Sequence, residues 1–338
     1  MSSRLKDVAA LAGVSTRTVS NVVSGTGAVA EETRARVQMA LDELGYRPNV
    51  AARNLRAGRT GLIGLAIPEL HSPYFGELAG LIVEAAQQRS WTVVIDQTFG
   101  DREAERRLLE GTGGRLVDGL IISPWSLGPE ELTGRSRDVP VVLLGEQQAR
   151  GLADRVAVDN VLAADEATTH LLGTGRRRIA AIGVQPHLRN ETARQRLAGY
   201  RQALRRAGLE PDPALEQSVT TLHRRDGAEA MAALLDADKR PDAVFAFSDE
   251  LALGALHIAI ERGVRVPHDL AVVGFDGIED GRYANPPLTT VVPDKPQIAE
   301  RVLQCLADRI YSPASTVPPL DVVIPHHLDK RASSGSTG

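Results

Sequence analysis

From Gly61 onward, short apolar runs alternate with longer amphipathic stretches, and this alternation most limits the possible folds. Strands are predicted at 61–67, 92–96, 118–122, 140–144, 155–158, 178–183, 215–220, 242–246 and 270–274. Helices are predicted at 75–89, 102–111, 161–173, 192–207, 226–236, 249–262 and near 295–310. Alternation of this kind indicates parallel sheets with helices on both faces. We therefore expect an α/β body with two doubly wound parallel-sheet lobes, closed by an extended segment at 287–293 and a strand at 320–324.

The first 59 residues have a purely helical pattern. Leu5 opens a run of apolar residues at helical spacing, Gly13 supplies a turn, and Ser15 is placed to cap a second helix. A third helix is predicted from Glu31 to Leu44, with Gly45 at its end. Two short helices joined by a tight turn, the second of them polar, are typical of a helix-turn-helix. A generic three-helix bundle with a solvated polar face is the alternative.

The charge is divided unevenly along the chain. The 338 residues carry a formal net charge of −4, which at first argues against a nucleic-acid partner. Residues 1–59, however, hold nine basic and five acidic residues, so the remaining chain carries a net charge of −8. A small basic head on an acidic body indicates two tasks, one of them with phosphates, and chance clustering is the alternative.

Composition excludes several classes of protein. A single cysteine, Cys305, allows neither a disulfide framework nor a cysteine-based zinc site, and the eight histidines form no helical metal pair. No apolar run is long enough to cross a bilayer, and residues 1–7 lack a secretion signal, so a cytoplasmic protein is expected. Neither a dinucleotide fingerprint, a phosphate-binding loop nor a nucleophile motif occurs, so we expect no enzyme, cofactor or metal.

Particular motifs narrow these possibilities. The run from Leu5 to Ser24, LKDVAALAGVSTRTVSNVVS, is followed by Glu32-Thr-Arg, then Leu44-Gly-Tyr-Arg-Pro-Asn and Ala51-Ala-Arg-Asn-Leu. In this order and spacing they resemble the lactose-repressor (LacI-type) family of bacterial transcriptional regulators, and the resemblance continues to about residue 331. It implies a dimeric DNA-binding repressor on a palindromic operator, controlled by a small-molecule effector such as a sugar or sugar derivative.

The resemblance assigns the DNA contacts. Thr16, Arg17 and Asn21 match variable base-reading positions on a helix in the major groove, whereas the phosphate-binding or bracing positions match Leu5, Ser15, Thr18, Ser20, Thr33 and Tyr46. Two positions depart from the family pattern, since Arg4 and Ala30 stand where the family usually has a hydroxyl cap. The first and third helices are therefore expected to begin less firmly.

Residues 48–59 are predicted to form a hinge helix. Asn49 can cap it, and the resemblance makes Leu55 the residue inserted into the minor groove, with the small Ala52 allowing close approach. In the family this segment folds on DNA and pairs with the hinge of the second subunit. A solvated basic linker is the alternative.

The effector site is expected beyond the carboxyl ends of the strands. The body resembles periplasmic sugar-binding proteins, with two lobes joined by three crossovers. The family's most dependable effector-binding pair matches Arg196 and Asp276, and further cleft positions match Ser72, Tyr74, Phe75, Ser123, Trp125, Leu222 and Ser248. A salt bridge that only positions loops is the alternative for the pair, and Asp249 is interpreted as a helix cap.

Two departures from the family pattern bear on the identity of the effector. Gly145 stands where sugar-responsive members often have Asp, and Leu222 stands where several have an aromatic ring that stacks on the ligand. Trp125 either replaces that ring or packs within its loop. A different, smaller or repositioned ligand is therefore expected.

Four domains are predicted: a helix-turn-helix at 1–47, the hinge at 48–59, an N-terminal lobe at 60–160 with 293–331, and a C-terminal lobe at 161–292. Residues 332–338 are predicted to be a flexible end. The sequence leaves open induction or corepression, and dimer or tetramer. A sugar-binding protein without a regulatory role is the rival interpretation, and residues 1–59 argue against it.

Overall fold

The computed structural model describes residues 5–24, 27–46, 59–110, 116–133, 139–147, 151–186, 190–312 and 318–335. They divide into two compact units, one ending at Gly61 and one beginning at Leu62. Among the helices in these ranges, none is both long enough and apolar enough for a bilayer crossing.

Three helices form the first unit: α1 (Leu5–Ala12), α2 (Thr16–Ser24) and α3 (Glu31–Glu43). The turn after α1 depends on Gly13, whose φ of +63° is readily adopted only by glycine. The predicted cap of α2 is confirmed, because Ser15 Oγ accepts a hydrogen bond from the Thr18 amide at 3.1 Å. Ala30 begins α3 with no side-chain cap, as the sequence predicts.

A small apolar core holds these helices together. Its buried members come from all three helices: Val8, Ala9, Ala12, Val19, Val22, Val37, Ala40 and Leu41. Their spacing leaves most of the polar face of α2 to solvent, which is the arrangement that a recognition helix requires.

The second unit begins with a six-stranded sheet in the order β2-β1-β3-β4-β5-β11, with all neighbours parallel. Its strands are β1 (Leu62–Ile67), β2 (Thr92–Gln97), β3 (Gly119–Ile122), β4 (Val141–Leu144), β5 (Asp154–Val158) and β11 (Asp321–Ile324). The helices of this lobe are α4 (Pro73–Gln88), α5 (Arg102–Leu109), α6 (Pro129–Thr133) and α12 (Lys295–Tyr311). Apolar residues of α4 and α12 pack on the sheet in one core.

The second sheet has the order β7-β6-β8-β9-β10-β12. Its strands are β6 (Ile179–Val184), β7 (Glu216–Ser218), β8 (Ala243–Ala246), β9 (Ala271–Phe275), β10 (Thr289–Pro293) and β12 (His326–Asp329). Its helices are α7 (Asn160–Gly173), α8 (Glu191–Arg206), α9 (Arg224–Asp236), α10 (Asp249–Glu261) and α11 (Glu279–Tyr283). The expected fold class of two α/β lobes is confirmed, although β12 runs antiparallel to β10.

The chain crosses between the two sheets three times, and each crossing is a single residue between two elements. Asp159 separates β5 from α7, Asp294 separates β10 from α12, and Pro325 separates β11 from β12. The two aspartates also cap the helices that follow, since their carboxylates accept the amides of Leu162 and Gln297 at 2.9 Å each. The second and third crossings are joined by a hydrogen bond of 3.1 Å from the Asp294 amide to the Pro325 carbonyl.

The third crossing corrects the predicted assignment of 293–331 to the N-terminal lobe. Residues 326–329 belong to the second sheet, where Val292 pairs with His327. The four residues after Pro325 could not be assigned to a lobe from the sequence, because their side chains do not reveal which sheet their backbone joins.

The predicted flexible end is also wrong for Ala332–Ser334, which form a 3-10 turn. Ser333 and Ser334 are buried. The Ser333 hydroxyl donates to the Val272 carbonyl at 2.6 Å and accepts the Thr289 amide at 2.8 Å. The Ser333 hydroxyl therefore serves as a partner for sheet backbone, and a polar composition here does not mean a solvated tail.

Candidate functional site

The carboxyl ends of strands from both sheets meet at one cavity between the lobes. All nine residues predicted for the effector site line it: Ser72, Tyr74, Phe75, Ser123, Trp125, Arg196, Leu222, Ser248 and Asp276. They come from the segments after β1, β3, β7, β8 and β9 and from the first turns of α8, as expected for parallel α/β sheets. Their contact with a ligand stays a prediction.

Arg196 is the buried cation of this cavity. It projects from α8, and its Nε donates to Asn160 Oδ1 at 2.7 Å. Nη1 donates to the Phe247 carbonyl and lies 3.7 Å from Asp276 Oδ1, while the guanidinium carbon lies 3.4 Å from the Phe275 ring centroid. Burial lowers the pKa of Arg196, and the Asp276 charge opposes that effect. Fixed on three sides, the guanidinium presents a preoriented donor to the cavity.

Asp276 follows β9 in an uncommon backbone conformation. Its φ of +112° lies where few residues other than glycine are found, and such strain is often concentrated at functional sites. Lys295 Nζ holds this loop by donating to the carbonyls of Asp276 and Gly277 at 3.0 and 2.9 Å. Burial raises the pKa of the Asp276 carboxyl to about 7, although Arg196 and Lys295 act to lower it. The carboxyl can therefore accept or donate hydrogen bonds near neutral pH.

Asp249 corrects the sequence interpretation of a helix cap. The cap of α10 is Ser248, whose Oγ accepts the Leu251 amide and donates to the Leu222 carbonyl, both at 3.1 Å. Asp249 is fully buried and accepts the Ile278 amide at 2.8 Å and the Thr290 hydroxyl at 2.6 Å. Burial, with the Asp276 charge, raises the pKa of Asp249. Asp249 therefore braces the loop that carries Asp276.

Three aromatic rings form an apolar wall from the N-terminal lobe. Tyr74 and Phe75 meet edge to face at 5.3 Å between centroids, and Phe75 lies 6.2 Å from Trp125. Burial raises the pKa of Tyr74, reinforced by Asp276 and Glu146, so its hydroxyl is protonated. Trp125 lines the cavity and also covers Gly100, where an added Cβ would meet its ring at 2.9 Å. Both sequence interpretations of Trp125 therefore have a structural basis.

Glu146 is a cavity residue that the sequence interpretation missed. The preceding Gly145 has a φ of +107°, a backbone conformation that glycine adopts more readily than other residues. One residue later, Glu146 Oε1 accepts Asn160 Nδ2 at 2.7 Å, and Oε2 accepts the Thr192 hydroxyl. A carboxylate is therefore present near the expected place, displaced by one position. Its location directly after β4 was the signal that could have found it.

Other missed groups lie at the mouth of the cavity. Glu69 follows β1, whereas His223 and Glu250 come from the opposite lobe, and all three line the cavity. His223 Nε2 lies 3.2 Å from Glu69 Oε2, and Nδ1 lies 3.5 Å from Glu250 Oε2. Sequence spacing could not reveal this group, because Glu69 is separated from His223 and Glu250 by more than 150 residues along the chain.

A second set of contacts joins the lobes nearby. Lys295 Nζ of α12 lies 2.5 Å from Glu77 Oε2 of α4, and Glu77 Oε1 accepts the Glu279 amide of the other lobe at 2.9 Å. Together with the bonds from Lys295 to Asp276 and Gly277, these contacts fasten the loop of Asp276 to the N-terminal lobe. We call Glu77 and Lys295 the lobe latch.

In the first unit, the polar side chains of α2 form the candidate DNA-reading surface. Thr16, Arg17 and Ser20 are exposed, and Thr18 and Asn21 are half-buried. Ser15, also exposed, exchanges a hydrogen bond of 2.9 Å with Thr18 Oγ1.

The remaining predicted DNA contacts fall into two groups. Thr33 is half-buried, while Leu5 and Tyr46 pack on the helical core, which supports a bracing role for them. The hinge residues Asn49, Ala52 and Leu55 lie outside the described residues. The DNA contacts of both groups stay predictions.

Comparisons with known proteins agree with this architecture. The family model described as "Bacterial regulatory proteins, lacI family" matches residues 4–49, and a periplasmic binding protein-like domain matches residues 168–334. The ribose operon repressor of Escherichia coli (strain K12) is 35% identical over 91% of this chain and 93% of its own length.

Two solved structures are also similar. A complex of the transcriptional regulator CelR with cellobiose is 33% identical, covers 98% of this chain and 99% of its own, and has a TM-score of 0.73. The lac repressor dimer bound to operator is 27% identical, covers 99% and 100%, and has a TM-score of 0.82. With a matching regulatory head, a two-lobe body and relatives over nearly its whole length, this chain belongs to the LacI family of bacterial transcriptional regulators.

Proposed function

We propose that this chain is a homodimeric repressor whose hold on a palindromic operator is controlled by a neutral sugar bound between its lobes. It would act in the bacterial cytoplasm, where the chromosomal operator lies. The observation that carries the effector proposal is the pairing of the buried Arg196 with the half-buried Asp276 in a cavity lined by both lobes. A ligand seated there touches both lobes, so it can favour one lobe arrangement over another.

The charges of the cavity favour a neutral ligand. Its described lining includes the carboxylates Glu69, Glu146, Glu191, Glu250 and Asp276, against one guanidinium, that of Arg196. A phosphate or carboxylate ligand would therefore enter against several negative charges in a poorly solvated site. Hydroxyl groups, in contrast, can donate to the carboxylates and accept from Arg196.

The aromatic wall supports a sugar among neutral ligands. Phe75 and Trp125 offer apolar faces beside the polar groups, an arrangement suited to a ring with apolar C–H faces and hydroxyl edges. The complex of CelR with cellobiose is a sugar-bound relative of this chain, and the ribose operon repressor is named for a sugar operon. Relatives that are regulators also support a binding role for the cavity in preference to a catalytic one.

The DNA side of the proposal depends on the first unit. The exposed Thr16 and Arg17 are available to base edges, and the hinge leucine Leu55 would enter the minor groove of a bent operator. The lac repressor dimer bound to operator supports a dimer with two such heads.

The test begins with an operator selected by the full-length protein from random duplex DNA. Calorimetric titration then compares neutral pentoses, hexoses and disaccharides with their phosphorylated forms. We expect one neutral sugar to bind, at least tenfold more tightly than its phosphate, and to change operator affinity in an anisotropy assay. A fall in affinity would indicate induction and a rise corepression.

Asp276→Asn should weaken sugar binding at least tenfold while leaving operator affinity without sugar unchanged. Asp269→Asn is the matched control, because Asp269 lies on the surface of the same lobe, where it pairs with Arg265. Preferential binding of an anionic ligand, or sugar binding equal in the two variants, would contradict the proposed effector site.

A further inference from the structure

Two histidines and a carboxylate meet at the mouth of the cavity, outside the Arg196–Asp276 pair. Glu69 and His71 belong to the segment after β1 in the N-terminal lobe, and His223 precedes α9 in the C-terminal lobe. One potential ligand atom from each lies within 4.8 Å of the other two. We propose that these three side chains bind a divalent transition metal, Zn²⁺ for example, and that the bound metal joins the two lobes.

The spacing of the donor atoms suits such an ion after small movements. Ligand atoms around tetrahedral zinc are about 3.4 Å apart, given bond lengths of about 2.1 Å. Glu69 Oε2 already lies 3.2 Å from His223 Nε2 and 4.0 Å from His71 Nε2. The His71 side chain is 63% exposed, so it is free to make the remaining adjustment by rotation. Imidazole nitrogens with one carboxylate are a donor set that zinc, nickel, cobalt and copper share.

The surroundings of His223 provide an independent argument. Its Nε2 faces Glu69, while Nδ1 lies 3.5 Å from Glu250 Oε2. Metal-binding histidines commonly donate their second ring N–H to a carboxylate, which fixes the tautomer and turns the other nitrogen toward the ion. Glu250 is itself held by Arg224, whose Nε lies 3.5 Å from Oε1. The ring is thus oriented as a ligand would be.

A bound metal would have a consequence for the lobes. Its ligands come from both sides of the cleft, so the ion is bound fully only when the lobes are close together. Three protein ligands leave a position open in a tetrahedral site, and Glu69 and His223 both line the cavity. A water or a ligand oxygen could fill that position. This inference does not depend on the proposed sugar effector.

The experiment titrates Zn²⁺ into the full-length, chelator-treated protein in competition with a chromophoric chelator, without DNA or sugar. We expect one tight site per chain, and affinity reduced more than tenfold in His71→Ala and in His223→Ala. Glu250→Gln should reduce it about 10- to 100-fold, as the loss of an orienting partner does elsewhere. Circular dichroism checks that each variant is folded.

His257→Ala is the matched control. His257 is an exposed histidine of the C-terminal lobe, which also carries His223, and it lies 3.7 Å from the carboxylate of Glu261. Removing it should leave the tight zinc site intact. Equal zinc affinity in wild type, His71→Ala and His223→Ala, or a wild-type protein with no tight site, would overturn the proposal. Neither result would bear on repressor function, which is measured with operator and sugar.

Discussion

At the scale of single residues, burial explains why Asp276 is unusual. The carboxyl is removed from water, and the nearby Arg196 and Lys295 do not fully compensate, so its pKa lies near 7. A group whose protonation state is balanced near neutrality can adjust to the hydrogen bonds that a ligand offers. The same property makes its contribution to stability depend on pH.

Asp276→Asn is expected to change the pH dependence of unfolding. The folded pKa of about 7 exceeds the ordinary value of 3.8, so the folded protein keeps a proton that the unfolded chain loses between these values. This contribution to stability is complete below pH 4 and disappears as the pH rises through 7. Across that window the wild type should lose about 1.4 kcal/mol per pH unit relative to the variant. Denaturant unfolding at several pH values measures this difference.

Asp269→Asn serves as the control for that experiment. Its hydrogen bonds with Arg265 lower the pKa of Asp269 to about 2, so its own contribution changes only in more acidic solution. Wild-type and Asp276→Asn curves that run parallel from pH 4 to 7 would contradict the proposed proton uptake.

Residue positions were predictable where a motif fixed them, and unpredictable where only the fold brought residues together. Arg196 and Asp276 follow from their match to family positions. Glu146 was missed because the position compared with the family pattern was Gly145, one residue earlier. Glu69 and His223 have no local motif, and only the closure of two lobes places them 3.2 Å apart.

At the scale of elements, α2 and α3 differ in how they begin. Ser15 caps α2, whereas Ala30 leaves the first amides of α3 without a side-chain partner. The helices themselves were predicted well, because apolar spacing and caps are local signals. The strand β12 and the turn Ala332–Ser334 were not predicted. Pairing of backbone with a distant strand leaves no periodic pattern of apolar residues in so short a segment.

Ala30→Ser is expected to stabilise α3. The backbone at Ala30 (φ −58°, ψ 144°) already has the extended conformation of a cap residue, so the new hydroxyl can accept an orphan amide. A gain of about 1 kcal/mol corresponds to roughly fivefold slower hydrogen exchange of the α3 amides, measured by mass spectrometry. Ala35→Ser, at an exposed position inside the same helix, should give no protection. Equal exchange in both variants would show that the end of α3 does not limit its stability.

Arg17→Ala is expected to relax the sequence preference of the protein at one base-pair position of each operator half-site. Arg17 is exposed at the start of α2, where a guanidinium can bond a guanine edge. Loss of that contact should cost about 1–3 kcal/mol at a single base-pair position and little elsewhere, as measured by binding selection from a random library. Arg205→Ala, an exposed arginine of α8, is the control with the same change of charge. Uniform weakening across all sequences would instead indicate a phosphate contact.

At the scale of the whole molecule, the lobe latch joins the two lobes. Lys295 is only 7% exposed, and its Nζ donates hydrogen bonds to groups of both lobes. Its removal should therefore favour a more open arrangement of the lobes. The charge division seen in the sequence also has meaning at this scale, because the acidic residues include those that line the cavity.

Lys295→Met is expected to increase the radius of gyration in solution scattering and to weaken sugar binding several-fold through a smaller closed population. Arg89→Met is the matched control, because Arg89 at the end of α4 pairs with Glu300 of α12 within one lobe. No change in scattering or affinity for Lys295→Met would mean that the latch does not determine closure.

The three single-residue crossings have a mechanical consequence. The links at Asp159, Asp294 and Pro325 are one residue long, so each offers few rotatable torsions, and the proline ring fixes φ at Pro325. Sliding of one lobe over the other would have to stretch all three links together, whereas pivoting needs only small torsional changes in each. The two lobes are therefore expected to open and close by a hinge rotation about these links. Val158 and Pro293, which directly precede the crossings at Asp159 and Asp294, line the cavity, so a ligand there contacts the segments about which the lobes pivot and its binding can bias the angle between them.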